Sequence, residues 1–418
     1  MIYTLKQKLI DNLIVFMLVM SSGGLLFVFN RNLCYVIFVA ILSLSYFFMG
    51  RKILKINFNS SMISILILFG LLIINYLFAV NEQEINKYYY YFLVISVSVF
   101  SLMHFTNNKN HLLLTLYTVL QIIVFHSILN FVFFFFIKDS LSIISSNYHE
   151  CETFLNLFFY TTERGVINLF ELEFCRNQGL FWEPGVLQVF LNIFFFLDAF
   201  IFKRRRFMLV LTAVAIVTTY STTGIALLLL QLLIYIIMEM KNNKWLAPFF
   251  IFFTIPVLLI FSLNVEEKVK GVKEASFQKR LFDLTQPLFI AAEYPLTGIG
   301  LDIFQFQQMR EEFYFSSDNL HELQRKIGVE SKTTGTDKGS SNSIMFLFAA
   351  MGFPTAIIFL FMFFKQQVIL EKKWLFMIIL ITSVMSEPLL LRPFFFVFIV
   401  SGFTHFFHKL TSHKKQLS

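Results

Sequence analysis

The stretch Gly185–Arg206, "GVLQVFLNIFFFLDAFIFKRRR", places an apolar run directly ahead of four consecutive basic residues. A helix needs roughly 20 apolar residues to cross a hydrocarbon core about 30 Å thick, and basic clusters stay on the cytoplasmic side. The stretch therefore predicts a membrane span whose C-terminal end is cytoplasmic. The composition agrees, because 57% of the 418 residues are hydrophobic and 14% are charged, which is too apolar for a soluble protein.

Similar apolar runs recur along the chain and predict an all-α integral membrane protein with about twelve transmembrane helices. The runs extend over 12 to 30, 33 to 50, 60 to 80, 88 to 105, 112 to 137, 185 to 202, 207 to 220, 223 to 240, 246 to 264, 341 to 364, 374 to 391 and 393 to 408. With both termini cytoplasmic, the inner segments carry 18 basic residues and the short outer loops only Arg31, Lys87 and Arg392. This asymmetry favours that orientation. The net charge of +8 mostly reflects it, so we expect no nucleic-acid partner.

Two long polar segments on the outer side divide the chain into five predicted parts. Helices one to five occupy 1–137, a first large outer loop 138–184, helices six to nine 185–264, a second large outer loop 265–340, and helices ten to twelve with a cytoplasmic tail 341–418. The two loops hold 19 of the 26 acidic residues. Long polar loops usually carry function, so we expect the functional site in these two loops.

The second outer loop contains an amphipathic pattern. Apolar residues recur at steps of three and four at Phe277, Leu281, Leu284, Leu288 and Ala292. This spacing predicts a helix that either lies on the membrane surface, with Lys279 and Asp283 turned to water, or packs on the loop's own core. In the first loop, Cys151 and Cys175 could form a disulfide at the oxidising exterior or remain two free thiols.

Four motifs resemble, in order, the signatures of bacterial O-antigen polymerases and ligases. They are "RNQGLFWEPGVLQVFLN" at 176, "TTYSTTGIALLLL" at 218, "RLFDLTQPLFIAAEYPLTGIGLDIF" at 280 and "SSNSIMFLFAAMGFP" at 340. The resemblance implies a GT-C-type membrane glycosyltransferase at the outer face of the bacterial inner (cytoplasmic) membrane. It implies no cofactor and no metal. The chain also lacks HExxH, GxSxG, P-loop, GxGxxG and Asp-x-Asp motifs, which argues against ATP-driven or zinc-dependent chemistry.

The substrates implied by the resemblance are lipid-linked. The donor would be a glycan on undecaprenyl pyrophosphate. In a polymerase the acceptor is another lipid-linked repeat unit, and in a ligase it is lipid A-core. Membrane lipid and a chain-length regulator protein would be further partners.

Departure of pyrophosphate develops negative charge, which fixed cations must meet if no Mg²⁺ is used. The arginine fork binds phosphate oxygens bidentately. Arg176 and Arg280 lie inside the motifs and are therefore the principal catalytic and substrate-binding candidates. The structural alternative is that each pairs with a nearby carboxylate such as Glu173 or Asp283. Arg310 is a weaker substrate-binding candidate, for which we favour a structural pair.

Activation of the acceptor hydroxyl needs a base within hydrogen-bond reach. Glu183 is the first candidate, because a partly desolvated carboxylate at the mouth of a helix is a better base. A helix-start role is the equal alternative. Asn342 and His321 are further substrate-binding candidates. Ligases of this family have a histidine just before the helix that begins here at Ser341 and Asn342; serine in that place favours a polymerase.

Two other classes of membrane protein share this topology. A secondary transporter would carry charges near the midplane of two related halves, and the sequence shows neither feature. A flippase for lipid-linked oligosaccharides would need a polar cavity through the membrane, whereas the polar residues here concentrate in the two outer loops. We therefore favour the polymerase.

Overall fold

The computed structural model describes residues 5–49, 55–106, 109–146, 149–169, 172–204, 206–240, 246–270, 274–316, 322 and 340–416. These residues are mostly helical and fall into two compact units. Unit 1 comprises Met1–Ile37, Asn110–Glu267 and Leu370–Ser383. Unit 2 comprises Phe38–Lys109, Lys268–Ile369 and Val384–Ser418.

The helices and strands are numbered in chain order. The helices are α1 (Leu5–Met20), α2 (Leu25–Phe29), α3 (Arg31–Met49), α4 (Lys55–Phe78), α5 (Ile85–Phe105), α6 (Lys109–Ile137), α7 (Thr162–Gly165), α8 (Pro184–Phe196), α9 (Arg206–Thr218), α10 (Thr222–Met240), α11 (Leu246–Lys270), α12 (Glu274–Glu293), α13 (Ile303–Ser316), α14 (Ser343–Phe364), α15 (Lys373–Ser386) and α16 (Pro393–Gln416). The strands are β1 (Ser142–Ser145), β2 (Glu150–Phe154), β3 (Phe158–Tyr160), β4 (Val166–Leu169) and β5 (Leu172–Cys175).

Six helical segments in the described part of the chain are long and apolar enough to cross a membrane. They are Phe58–Phe78, Ile85–Phe105, Asn110–Ser140, Pro184–Phe202, Ser343–Phe364 and Pro393–Leu410. Five further apolar helices are shorter. Each of the twelve predicted runs lies mainly in helix, although the first is broken between α1 and α2. The helices are those of a multi-pass membrane protein, and the number of twelve spans stays a prediction.

Helix α8 forms the centre of unit 1. Every residue from Gly185 to Phe196 is buried, because α9 and α10 pack against it and Phe181 stacks on Phe190 at 4.9 Å between ring centroids. A helix that is apolar on all sides must be buried in protein or lipid. A π-helical turn, Leu197–Phe202, continues α8 towards the basic cluster.

The segment 138–184, predicted as the first outer loop, forms two small antiparallel sheets, where the sequence predicted only helices for the fold. Strand β2 pairs with β1 and β3, and β4 pairs with β5. Cys151 on β2 packs with Leu25 and Phe159, whereas Cys175 on β5 packs with Tyr160. Both thiols are free, and burial raises the pKa of each to about 12. The structure thus has the two free thiols of the second alternative, both protonated at neutral pH.

In unit 2, α16 packs against α4, α5 and α14, and α12 packs against α14. Helix α14 is interrupted at Gly352, whose φ of +71° lies in the left-handed region that favours glycine. A Cβ there would collide with the backbone of the α12–α13 connection. At this break the backbone N–H groups of Ile299 and Gly300 donate to the carbonyls of Ala349 and Ala350 at 3.0 and 2.9 Å.

Helix α12 forms where the amphipathic pattern predicted a helix, but Asp283 does not lie on a polar face. Leu284 is 37% exposed and Leu288 43% exposed, which suits contact with lipid. Asp283, which the first of the two alternatives placed in water, has 0% exposure, so that alternative is wrong for Asp283. Its charge can be buried because an arginine from α13 pairs with it. The side chain of Lys279 lies outside the described part of the chain.

Candidate functional site

The two motifs of unit 2, residues 280–304 and 340–354, contact each other at both ends. At one end the Gly298–Gly300 turn bonds to α14. At the other, one carboxylate oxygen of Asp283, Oδ2, accepts hydrogen bonds from the backbone nitrogen of Ser341 at 2.9 Å and from its Oγ at 2.7 Å. The start of α14 is thereby tied to α12.

The second carboxylate oxygen of Asp283 pairs with a buried arginine. Arg310 Nη2 donates to Asp283 Oδ1 at 2.8 Å, and both side chains have 0% exposure. Arg310 Nε donates to Gln286 Oε1 at 2.8 Å, and the guanidinium lies over the Phe282 ring at 4.6 Å from its centroid. Burial lowers the pKa of the Arg310 guanidinium, and the charge of Asp283 opposes that shift. Arginine in proteins stays protonated, so this is a fully buried ion pair.

Asn342 is the N-cap of α14. Its Oδ1 accepts hydrogen bonds from the backbone nitrogens of Ile344 at 3.2 Å and Met345 at 3.1 Å. These bonds satisfy two of the N–H groups that the first helical turn leaves open. The geometry accounts for asparagine here by helix capping, and a substrate-binding role for Asn342 stays a prediction.

Arg280 lies one turn before Asp283 on α12 and is partly exposed. Residues three apart share a face of a helix, so Arg280 lies beside the contact between Asp283 and Ser341. Of the predicted site residues, Arg310 bonds to Asp283, Asn342 directly follows Ser341, and Arg280 lies one turn from Asp283 on α12. Neither Asp283 nor Ser341 was predicted to act. The signal for Asp283 was its place three residues after Arg280. The other candidate of this loop, His321, lies outside the described residues.

The two motifs of unit 1 also contact each other. Arg176 is half-buried, and its Nε donates to the carbonyl of Thr219 at 3.1 Å. The next residue, Asn177, bonds to Thr218 through its backbone nitrogen at 3.0 Å and through its side chain at 3.0 Å. Further along, a Cβ at Gly224 would collide with Gln188, so glycine permits the close packing of α8 and α10. The bond from Arg176 Nε to Thr219 holds the guanidinium at the α9–α10 turn.

Glu183 is the N-cap residue of α8 and is half-buried. Its Oε1 accepts a hydrogen bond from Trp182 Nε1 at 2.9 Å, which fixes the carboxylate. Burial lowers the pKa of nearby His149 below 6.5, while the Glu183 carboxylate raises it. The service of Glu183 as a base stays a prediction. Among the described residues, no three His, Cys, Asp or Glu side chains are grouped to hold a metal ion.

Comparison with known proteins bears on unit 2 most strongly. Residues 207–360 match the family model described as O-antigen ligase. No curated protein and no solved structure matches the chain significantly. The matched segment is just over a third of the chain and contains Arg280, Asp283 and Arg310, whereas Arg176 lies outside it.

The matched segment contains three of the four motifs, in order. Members of the family are glycosyltransferase-like membrane enzymes that act on lipid-linked oligosaccharides, and the match fits a ligase and a polymerase equally. The match confirms the resemblance seen in the motifs: residues 207–360 are similar to the O-antigen ligase and polymerase family.

Proposed function

We propose that the protein is a polymerase of lipid-linked oligosaccharide repeat units at the outer face of the bacterial inner membrane. It transfers a growing glycan from undecaprenyl pyrophosphate to a sugar of another lipid-linked repeat. The observation that carries this proposal is the state of Ser341. Its hydroxyl donates to Asp283, and a serine so engaged cannot take a proton at neutral pH as an imidazole can. A ligase mechanism based on histidine at this place is therefore not supported.

The reaction exchanges one bond at the anomeric carbon of the donor sugar. The acceptor hydroxyl oxygen forms a bond to that carbon, the bond from the carbon to the pyrophosphate oxygen breaks, and the hydroxyl proton goes to a base. The electron pair leaves with undecaprenyl pyrophosphate. A group that stabilises the charge on this leaving oxygen lowers the barrier of the step.

Arg280 is our proposed leaving-group cation in unit 2. The charge of Asp283, one turn away, is already balanced by the buried Arg310. Arg280 is the partly exposed arginine of the two, whereas Arg310 is fully buried. A planar guanidinium binds two phosphate oxygens at once, which makes a divalent ion unnecessary in this proposal.

For unit 1 we propose Arg176 as a second phosphate-binding cation and Glu183 as the base. The bond from Arg176 Nε to Thr219 and the bond from Trp182 to Glu183 hold both groups in fixed orientations. Fixed orientation favours catalysis, because little reorganisation is then needed during the reaction.

Deletion in the native strain, followed by gel analysis of the surface glycan, tests the polymerase proposal. We expect lipid A-core capped with single repeat units, and the normal ladder should return when the intact chain is supplied. Unmodified core with accumulated lipid-linked polymer would instead identify a ligase. Unchanged surface glycan would contradict both activities and favour a transporter or an unrelated role.

A further inference from the structure

We propose that Ser341 accepts a hydrogen bond from a hydroxyl or amide N–H group of the acceptor sugar, and that Asp283 and Arg310 are positioning residues for it. This inference rests on the proposed polymerase function. It adds a substrate contact, at the entry to α14, that selects for the acceptor sugar.

The hydrogen bonds of Ser341 determine what it can bind. A serine offers one hydroxyl hydrogen, one backbone N–H and the lone pairs of Oγ. An ionised carboxylate only accepts, so both donors of Ser341 are directed to Asp283 Oδ2, at 2.7 and 2.9 Å. What Ser341 offers a ligand is therefore the acceptor capacity of Oγ.

The buried ion pair fixes this arrangement. Asp283 cannot rotate away from Ser341 without disturbing its 2.8 Å bond to Arg310, and neither side chain has access to water. Arg310 is itself held by Gln286, whose Nε2 donates to the Arg310 carbonyl at 2.5 Å and whose Oε1 accepts from Arg310 Nε. Breaking the ion pair would leave a buried charge unpaired, which is costly. Asp283 therefore stays in place and keeps accepting both donors of Ser341, so that Ser341 faces a ligand as a hydrogen-bond acceptor.

Ser341 is also accessible, unlike its neighbours. Ser340, Asn342 and Ser343 are buried at 6%, 3% and 5% exposure, whereas Ser341 between them is partly exposed. Of the four consecutive polar side chains from Ser340 to Ser343, Ser341 is thus the partly exposed one. Its donors already bond to Asp283.

The polarity of this contact selects the chemical class of ligand. A pyrophosphate is almost purely a hydrogen-bond acceptor at neutral pH, so the free lone pairs of Ser341 do not suit it. Sugar hydroxyl and acetamido N–H groups are donors and do suit it. With Arg280 one helical turn from Asp283, the cluster offers a cation for the phosphate end of a substrate and an acceptor for a sugar.

The test uses the purified full-length protein in lipid nanodiscs. Donors are lipid-linked repeats extracted from the deletion strain, and acceptors are synthetic lipid-linked repeats that each lack one hydroxyl or acetamido group. We expect one deoxy acceptor to cost the wild type about tenfold in kcat/KM, the size of one neutral hydrogen bond. Ser341→Ala should lose about tenfold with the intact acceptor and be indifferent to that one deletion.

Two controls separate this effect from misfolding. Ser340→Ala removes a neighbouring buried hydroxyl that bonds only within the turn, so it should keep the wild-type pattern of acceptor preference. Ser341→Thr keeps a hydroxyl oxygen at this position and should retain activity. Ser341→Val, whose side chain has the shape of threonine but no hydroxyl, should behave as Ser341→Ala. If Ser341→Ala is poorly folded, the comparison of Ser341→Thr with Ser341→Val still tests the role of the hydroxyl oxygen.

The outcomes distinguish this inference from the proposed function. A wild-type protein that fails to extend any lipid-linked repeat would contradict the polymerase proposal itself. An active wild type whose Ser341→Ala and Ser341→Val variants retain full activity, or are still penalised by the same deoxy acceptor, would overturn only the role of Ser341. A change confined to the KM of the donor would also overturn it, since it would place the contact on the wrong substrate.

Discussion

Arg310 and Asp283 form the residue-scale feature from which the site of unit 2 is built. The pair is separated by 27 residues in sequence and joined by a 2.8 Å bond in the protein interior. Removing one partner of a buried ion pair costs about 3–5 kcal/mol, because the other charge stays buried and unpaired. Replacing both by apolar residues of similar volume often costs much less.

We therefore expect strong coupling between Asp283→Leu and Arg310→Met. Each single variant should lower the melting temperature of the purified protein markedly, and the double variant should recover most of that loss. Polymer formation should nevertheless remain low in the double variant, because Ser341 has then lost its carboxylate partner. Melting curves in nanodiscs, measured alongside chain extension, check both statements. Strictly additive losses of stability would mean that the pair does not interact as described.

The sequence predicted Arg280 as a functional candidate and Arg310 as a structural one, and the burial of Arg310 agrees with the second expectation. It could not predict that Arg310, rather than Arg280, would pair with Asp283. Proximity along α12 favoured an ion pair between Arg280 and Asp283, because these residues are three apart in sequence. The partner came instead from α13, and contacts between helices distant in sequence leave no local pattern to read.

At the scale of elements, hydropathy predicted the helices well and the strands not at all. The apolar runs are long, and burial or lipid contact enforces them. Strands β1 to β5 have three to five residues each, too short for a clear alternation of polar and apolar positions. The sequence therefore predicted a functional region at 138–184 but not the sheets that this segment forms.

The β2 region has a predicted response to pH through His149. Burial holds the pKa of its imidazole below 6.5, with Glu183 opposing the shift. The unfolded chain then binds more protons than the folded one as the pH falls from about 6.5 towards the folded pKa. This contribution to stability is thus present above pH 6.5 and lost on acidification.

His149→Gln removes that titration. The difference in melting temperature between the wild type and this variant should favour the wild type less at pH 5.5 than at pH 7.5. Thermal unfolding followed by tryptophan fluorescence at both values provides the measurement, with Trp182 as a local reporter. A difference that is independent of pH, or that grows in favour of the wild type at pH 5.5, would exclude a depressed pKa for His149.

At the scale of the whole molecule, the four motifs form two contacting pairs. The motif at 176 bonds to the motif at 218 within unit 1, and the motif at 280 bonds to the motif at 340 within unit 2. Many polar side chains of the motifs are engaged in these contacts. They form hydrogen bonds at turns, cap a helix or belong to the buried ion pair. The order of motifs could be read from the sequence, but their pairing required the fold.

The central claim is that arginine, rather than a divalent ion, stabilises the departing pyrophosphate. Its most direct test is chain extension by the purified full-length protein in excess EDTA, before and after addition of Mg²⁺ or Mn²⁺. We predict equal rates for the wild type, a loss of about 10²–10³ in kcat for Arg280→Gln, and a near-normal rate for Lys138→Gln, which removes an exposed outer-loop charge elsewhere. Activity that stops on chelation and returns with either metal would contradict the account.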